Sequence, residues 1–199
     1  MNKRSKPTKV QTLVGTAVLT AIVILLQMLG SFIHFGPFSV SLVLIPIVVG
    51  AAMFGIASGA WLGLVFGIVV LASGDAAAFL AVNAPGTVLT VLLKGTLAGL
   101  IAGAVYRVLA HFNSVTATIA AAVICPIVNT GIFLVGCKLF FMETITGWAT
   151  AAGFKNAGTF IIVGMVGLNF IFELLINVVL SPVIVRILRA IRRPEQTPA

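Results

Sequence analysis

Residues 12–33 read TLVGTAVLTAIVILLQMLGSFI. The run carries no charge, and as a helix rising 1.5 Å per residue it covers about 33 Å, enough to cross a hydrocarbon core of about 30 Å. It is too long for the core of a signal peptide and no small-residue cleavage pattern follows it. It therefore reads as a retained transmembrane helix. Ala17-x-x-x-Ala21 lies inside it. Two alanines four apart share one helical face and let another helix backbone approach closely. That face serves either packing within the protein's own bundle or docking of a separate membrane protein, and spacing alone does not choose between them.

The rest of the chain shares this character. Of 199 residues, 60% are hydrophobic and 8% charged, with a mean hydropathy of +1.23. A soluble domain does not carry that much apolar surface, so the class is an all-α integral membrane protein. The net charge of +8 does not indicate nucleic acid, because the charges cluster at the two ends and in one short loop, as topology signals do.

Hydropathy and turn residues divide the chain into a basic arm at 1–11, a six-helix membrane domain at 12–188 and a basic tail at 189–199. The spans are expected at 12–33, 40–54, 58–72, 87–109, 115–141 and 158–188, joined by breaks rich in Gly, Pro and Asn. The second and third form a tight hairpin around Gly55. Gly55, Gly59, Gly63 and Gly67 recur every four residues, as do Gly95, Gly99 and Gly103 in the fourth span. Both ridges signal close helix packing. The segments at 73–86 and 143–157 read as loops, the first folding back into the mouth of the bundle. Lys3, Arg4, Lys6, Lys9, Arg107, Arg186, Arg189, Arg192 and Arg193 fall on one side, and Lys138 and Lys155 on the other. This asymmetry predicts that the N and C termini are both cytoplasmic. Cys125 and Cys137 fall in one expected helix, about 18 Å apart along its axis, too far for a disulfide.

Chemistry has few places to reside. Asn169, Glu173 and Asn177 share one face of the sixth span. Lys94 lies inside the fourth. Charged groups at that depth are costly and seldom face lipid. Lys94 and Glu173 either pair to stabilise the bundle or face a cavity and bind a polar ligand. Asn129 follows Pro126, which removes a backbone donor and frees carbonyls of the preceding turn. Such a break either exposes polar groups to a ligand or is a kink that Asn129 steadies. Asn83 lies in the segment leading to Lys94. Phe35, Phe38, Phe79 and Trp148 occur in the connecting segments, where aromatic rings act as interfacial anchors or as walls of an apolar pocket. Trp61 reads as an anchor.

No glycine-rich phosphate loop ending in Lys-Ser/Thr occurs, nor Gly-x-Ser-x-Gly, nor His-Glu-x-x-His. His34 and His111 fall on opposite sides of the bilayer. The four acids are dispersed, so no carboxylate pair suits hydrolysis and an enzyme is not expected. No Cys/His cluster has metal-ligand spacing. No internal repeat of the kind carriers use is evident.

Taken together, Ala17-x-x-x-Ala21, the stretch IPIVVGAAMFGIASGAWLGLVFG at 45–67, and Asn83-Ala84-Pro85 leading to LLKGTLAGLIAG at 92–103 resemble the substrate-binding S component of energy-coupling factor (ECF) vitamin transporters, of the riboflavin/pantothenate-like group. The resemblance covers the whole chain. It implies that Ala17 and Ala21 dock on a transmembrane T component driven by two cytoplasmic ABC ATPases, which alone use ATP. It implies a vitamin site near the outer surface, here formed by Lys94, Asn83, Asn129, Glu173, Asn169, Phe38, Phe79 and Trp148, and delivery by toppling in a prokaryotic cell membrane. No cofactor is expected on the chain itself. Pantothenate is the first expectation for the vitamin. Riboflavin, cobalamin, hydroxymethylpyrimidine or pyridoxine, folate and queuosine follow. A stand-alone facilitator and a membrane scaffold are the readings from other classes.

Overall fold

The computed structural model describes residues 7–31, 34–35, 38–39 and 42–191. Helix α1 (Lys9–Gly30) starts from a capping box in which Thr8 Oγ1 accepts from the Gln11 N–H and Gln11 Oε1 accepts from the Thr8 N–H. The pair satisfies two donors that the first turn leaves without partners. A two-residue antiparallel ladder follows, β1 (His34–Phe35) with β2 (Phe38–Ser39). Then come α2 (Leu44–Phe54), α3 (Ile56–Ser73), α4 (Ala77–Val82), α5 (Ala84–Leu109), α6 (Ser114–Phe140), α7 (Met142–Ala151) and α8 (Ala157–Thr159). A π-helical segment, Phe160–Gly167, leads into α9 (Leu168–Ile191).

Among the described residues, five helical stretches are long and apolar enough to cross a membrane: Lys9–Gly30, Ile56–Ser73, Ala84–Leu109, Ser114–Phe140 and Ala157–Leu180. The chain is a multi-pass helical membrane protein. The second expected span is shorter than hydropathy suggested. Helix α2 has 11 residues, about 17 Å of rise against a core of about 30 Å. Eight of those residues, including Pro46, Ile47 and Val48, are buried. Helix α2 is thus an inner element shielded by its neighbours, and its hydropathy reports burial in protein as much as contact with lipid. Helix α1 is the opposite case. Only Val23, Gln27 and Gly30 are buried, while Leu13, Val14, Val18, Leu25 and Leu29 point outward, the distribution expected of a peripheral helix bathed in acyl chains.

The centre of the bundle is the contact between α3 and α5, and the two glycine ridges make it. A Cβ on Gly59 would strike the Gly99 carbonyl, one on Gly63 the Gly95 carbonyl, and one on Gly67 the Val91 carbonyl. The backbones therefore touch where any side chain would separate them. Around this seam Phe66, Leu62, Leu44, Ile47 and Val48 are fully buried. At the turn between α2 and α3, Gly55 takes φ +100°, a conformation that glycine adopts without strain. Helix α1 leans on this core through polar contacts, Thr16 Oγ1 donating to Ser58 Oγ at 3.1 Å and Trp61 Nε1 donating to Thr20 Oγ1 at 3.1 Å. Trp61, read as an anchor, thus also ties α3 to α1.

Three expectations about the connections change. The 73–86 segment contains α4, and α5 begins at Ala84 rather than 87. Residues 143–157, expected as a loop, are mostly α7, whose Ile145 and Ala149 turn inward on one helical face. Helix α6 runs unbroken through the buried Pro126. The loss of one backbone hydrogen bond is tolerated there because neighbouring helices enclose the site.

Candidate ligand-binding cavity

The C-terminal end of α3, the short α4, the N-terminal half of α5, the C-terminal half of α6 and the π segment with α9 meet at one end of the bundle. They enclose a cavity of about 80 Å³. Its polar lining is Gln27, Asp75, Thr87, Thr90, Lys94, Asn129, Thr130 and Glu173, and its aromatic lining is Phe79, Phe133, Phe141 and Phe170.

Phe79 closes one side. It is 5% exposed and packs edge-to-face on three rings, Phe141 at 5.0 Å, Trp148 at 5.5 Å and Phe133 at 5.7 Å between centroids. That geometry sets positive ring edges against negative faces. Helix α4 exists to present this residue, since Phe79 is its one buried side chain.

Lys94 Nζ stands 5.5 Å from the centroids of both Phe66 and Phe133, so two ring faces flank the ammonium. It also lies in the field of two carboxylates, Glu173 more strongly and Asp75 less. Glu173 is 6% exposed. One turn further on, Asn177 Nδ2 donates to the Glu173 carbonyl at 2.8 Å. Gln27, reaching in from α1, donates from Nε2 to Asp75 Oδ2 at 2.6 Å. Asn129 is 5% exposed, and its Oδ1 has no hydrogen-bond partner among the described residues.

Of the residues singled out in the sequence, Lys94, Asn129, Glu173 and Phe79 come together at this cavity. Trp148 stands behind Phe79 rather than on the lining. Asn83 has another task. Its Oδ1 accepts from the Gly86 N–H at 2.9 Å and its carbonyl accepts from Thr87 Oγ1 at 2.8 Å, capping α5 with Pro85 in the first turn. Those bonds give Asn83 the role of helix cap, and it is not among the residues that line the cavity. Asn169 lies on α9 and Phe38 on β2, but their side chains fall outside the described residues. Gln27 and Asp75 were missed as lining residues. Each had a signal: Gln27 is a polar side chain within the first apolar span, and Asp75 is one of four acids in the chain.

The family model for the ECF transporter substrate-specific component matches residues 11–185. The chain belongs to that family. No curated protein and no solved structure matches it. The family is that of a substrate-specific subunit, and the described residues of this chain enclose a polar cavity within apolar helices. The chain's Ala17 and Ala21 are both exposed. Helix α1 turns Gly15, Thr16, Thr20 and Val23 toward the bundle instead. The alanine face therefore does not pack within the described part of the bundle.

Proposed function

We propose that this S component captures a water-soluble vitamin in the cavity behind Phe79 and delivers it through a T component driven by two cytoplasmic ATPases. The observation that carries the reading is the convergence of Lys94, Asn129 and Glu173 with a wall of phenylalanines in one cavity. Polar groups placed that expensively inside apolar helices mark a binding site. The charge asymmetry supports termini in the cytoplasm of a prokaryotic cell, with the cavity at the outer side. The exposed Ala17 and Ala21 support a docking face on α1, toward a partner whose own helices approach closely. ATP is then used by the partner ATPases and not by this chain.

Pantothenate is the first vitamin to test, since Lys94 suits its carboxylate. The phenylalanine wall and the two carboxylates, Asp75 and Glu173, in the same cavity favour a second reading, a flat heterocycle such as riboflavin, pyridoxine or hydroxymethylpyrimidine. Mass spectrometry of small molecules retained by the purified protein tests the capture reading. A vitamin is expected at near-stoichiometric amount. Co-purification with a T component and two ATPases separates an S component from a stand-alone facilitator or a scaffold. Solute transport by the isolated chain in ATP-free vesicles would sink the S-component mechanism.

A further inference from the structure

Resting on the capture reading above, we propose that the π-helical segment Phe160–Gly167 is the movable wall of the cavity. Its conversion to α-helix withdraws Met165 and makes room for the ligand. The need for a movable wall comes from volume. The cavity of about 80 Å³ is smaller than the roughly 150 Å³ cavity that takes a benzene ring, so every vitamin-sized ligand displaces part of the lining. Most of that lining is pinned. Helices α3 and α5 meet backbone to backbone along the glycine seam. Gln27 donates to Asp75, and Phe79 is held among three rings. The π segment is held by far less. Met165 is its one buried side chain, and Ile162 and Val163 are 65% and 61% exposed. Segments with few buried contacts open most readily, and the parts that move on ligand binding are drawn from them.

The register of the segment defines what the conversion does. Met165, Val166, Phe170 and Glu173 all line the cavity. In a continuous α-helix at about 100° per residue, Val166 and Ile162 would each stand within about 20° of Glu173, and Met165 about 80° from it on the side away from Phe170. The structure departs from that register: Met165 is 3% exposed and Ile162 points outward. The wider π turn is what rotates Met165 into the cavity. Conversion to α turns Met165 off the lining. It brings Ile162 round to the face of Glu173, about 4.5 Å nearer the start of the helix than Met165, where it covers a ligand instead of occupying its place. Methionine suits this part, since its flexible, unbranched chain fills irregular space and repacks easily.

Glycine at 167 permits the π form. A Cβ there would strike the Ile162 carbonyl, five residues back, the spacing at which π-helix bonds close. In an α-helix position 167 bonds to position 163 instead, and alanine is a better helix former than glycine. Gly167→Ala therefore disfavours the π form and favours the α form, with no ligand present.

The test uses the full chain in lipid nanodiscs, with isotope-labelled methionine methyl groups read by NMR. Met165→Leu assigns the Met165 resonance among the five methionines. Met165 shares a packed cluster with Phe79 and Phe141, so its methyl resonance is expected to be ring-shifted in the unaltered protein and to lose that shift in Gly167→Ala. The probes are pantothenate, riboflavin, pyridoxine, hydroxymethylpyrimidine and folate, titrated by calorimetry. A probe that binds is expected to move the Met165 resonance of the unaltered protein in the same direction. It is expected to bind Gly167→Ala and Met165→Ala about threefold or more tighter, since neither variant has to expel the methionine. A bound probe that leaves the Met165 resonance in place, or that binds Met165→Ala more weakly, overturns the movable wall and leaves vitamin capture standing. So does a folded Gly167→Ala protein whose Met165 resonance is unmoved. Binding of none of the five overturns both. The unaltered protein and Met165→Ala carry the test even where Gly167→Ala does not fold.

Discussion

Gln27 Nε2 donates to Asp75 Oδ2 at 2.6 Å, which joins α1 to the segment between α3 and α4 across 48 positions of sequence. The bond stands out because α1 has so little else: three buried residues in its whole length. Gln27 is 1% exposed, and a charge-assisted bond in such surroundings contributes about 1.5–3 kcal/mol. Gln27→Leu keeps the volume and removes the donor. It is expected to lower the thermal midpoint in nanodiscs and to raise amide exchange in the C-terminal half of α1. Asp75→Asn retains an acceptor for Gln27 and is expected to lose less. Equal losses in the two variants would refute this account.

Lys94 and Glu173 give a second prediction. Lys94→Met removes a cation that interacts with the buried Glu173, a destabilising change of about 3–5 kcal/mol if the two are coupled as a buried pair. Adding Glu173→Gln removes the charge left behind and is expected to restore part of that loss. A double-mutant cycle on thermal or denaturant unfolding checks it. Coupling above about 1 kcal/mol is expected, and additivity within about 0.5 kcal/mol rejects the pairing.

The seam between α3 and α5 gives a third. Gly63→Ala places a methyl group against the Gly95 carbonyl, which is backbone and cannot swing aside. The helices must separate, at about 1–3 kcal/mol. Gly131→Ala is the control: it lies in α6 with nothing among the described residues within 4 Å of the new Cβ, and it is expected to stabilise the helix by up to about 1 kcal/mol. Comparing the two thermal midpoints reads this directly. A Gly63→Ala protein as stable as the Gly131→Ala protein disproves the close approach.

What the sequence made legible follows from the cost of burying charge. Lys94, Asn129 and Glu173 stand out because polar groups are expensive in apolar spans, and all three reach the cavity. Gln27 has no charge and sits in an ordinary-looking span. Its partner Asp75 sits beside Gly74 in a stretch that reads as loop. Only folding brings the two together. Asn83 misled in the other direction. Asn-Ala-Pro-Gly is itself a helix-start signature, and the capping role was available from those four residues. Helix α7 was hidden by the Thr, Gly and Trp in METITGWATA, where an apolar face of Met142, Ile145 and Ala149 is too sparse to stand out. The shortness of α2 was hidden for the reverse reason, since a helix buried on all sides has the same hydropathy as one in lipid.

The exposed alanines carry the last prediction. Ala17 and Ala21 are exposed on the described bundle, so Ala17→Leu with Ala21→Leu adds apolar volume toward lipid and meets no neighbour among the described residues. The double variant is therefore expected to fold, to keep its thermal midpoint and to bind its ligand with affinity unchanged within about twofold. A partner that must bring its backbone close to this face meets two isobutyl groups instead, and close helix approach depends on small residues. Uptake in cells that supply the T component and ATPases is expected to fall by about tenfold or more, and co-purification with them to weaken in parallel. Loss of uptake together with loss of ligand affinity would mean that the substitutions disturbed the cavity, nine to fifteen ångströms along α1 at about 1.5 Å per residue, rather than a docking face. Retention of both uptake and co-purification would show that the T component meets this protein elsewhere.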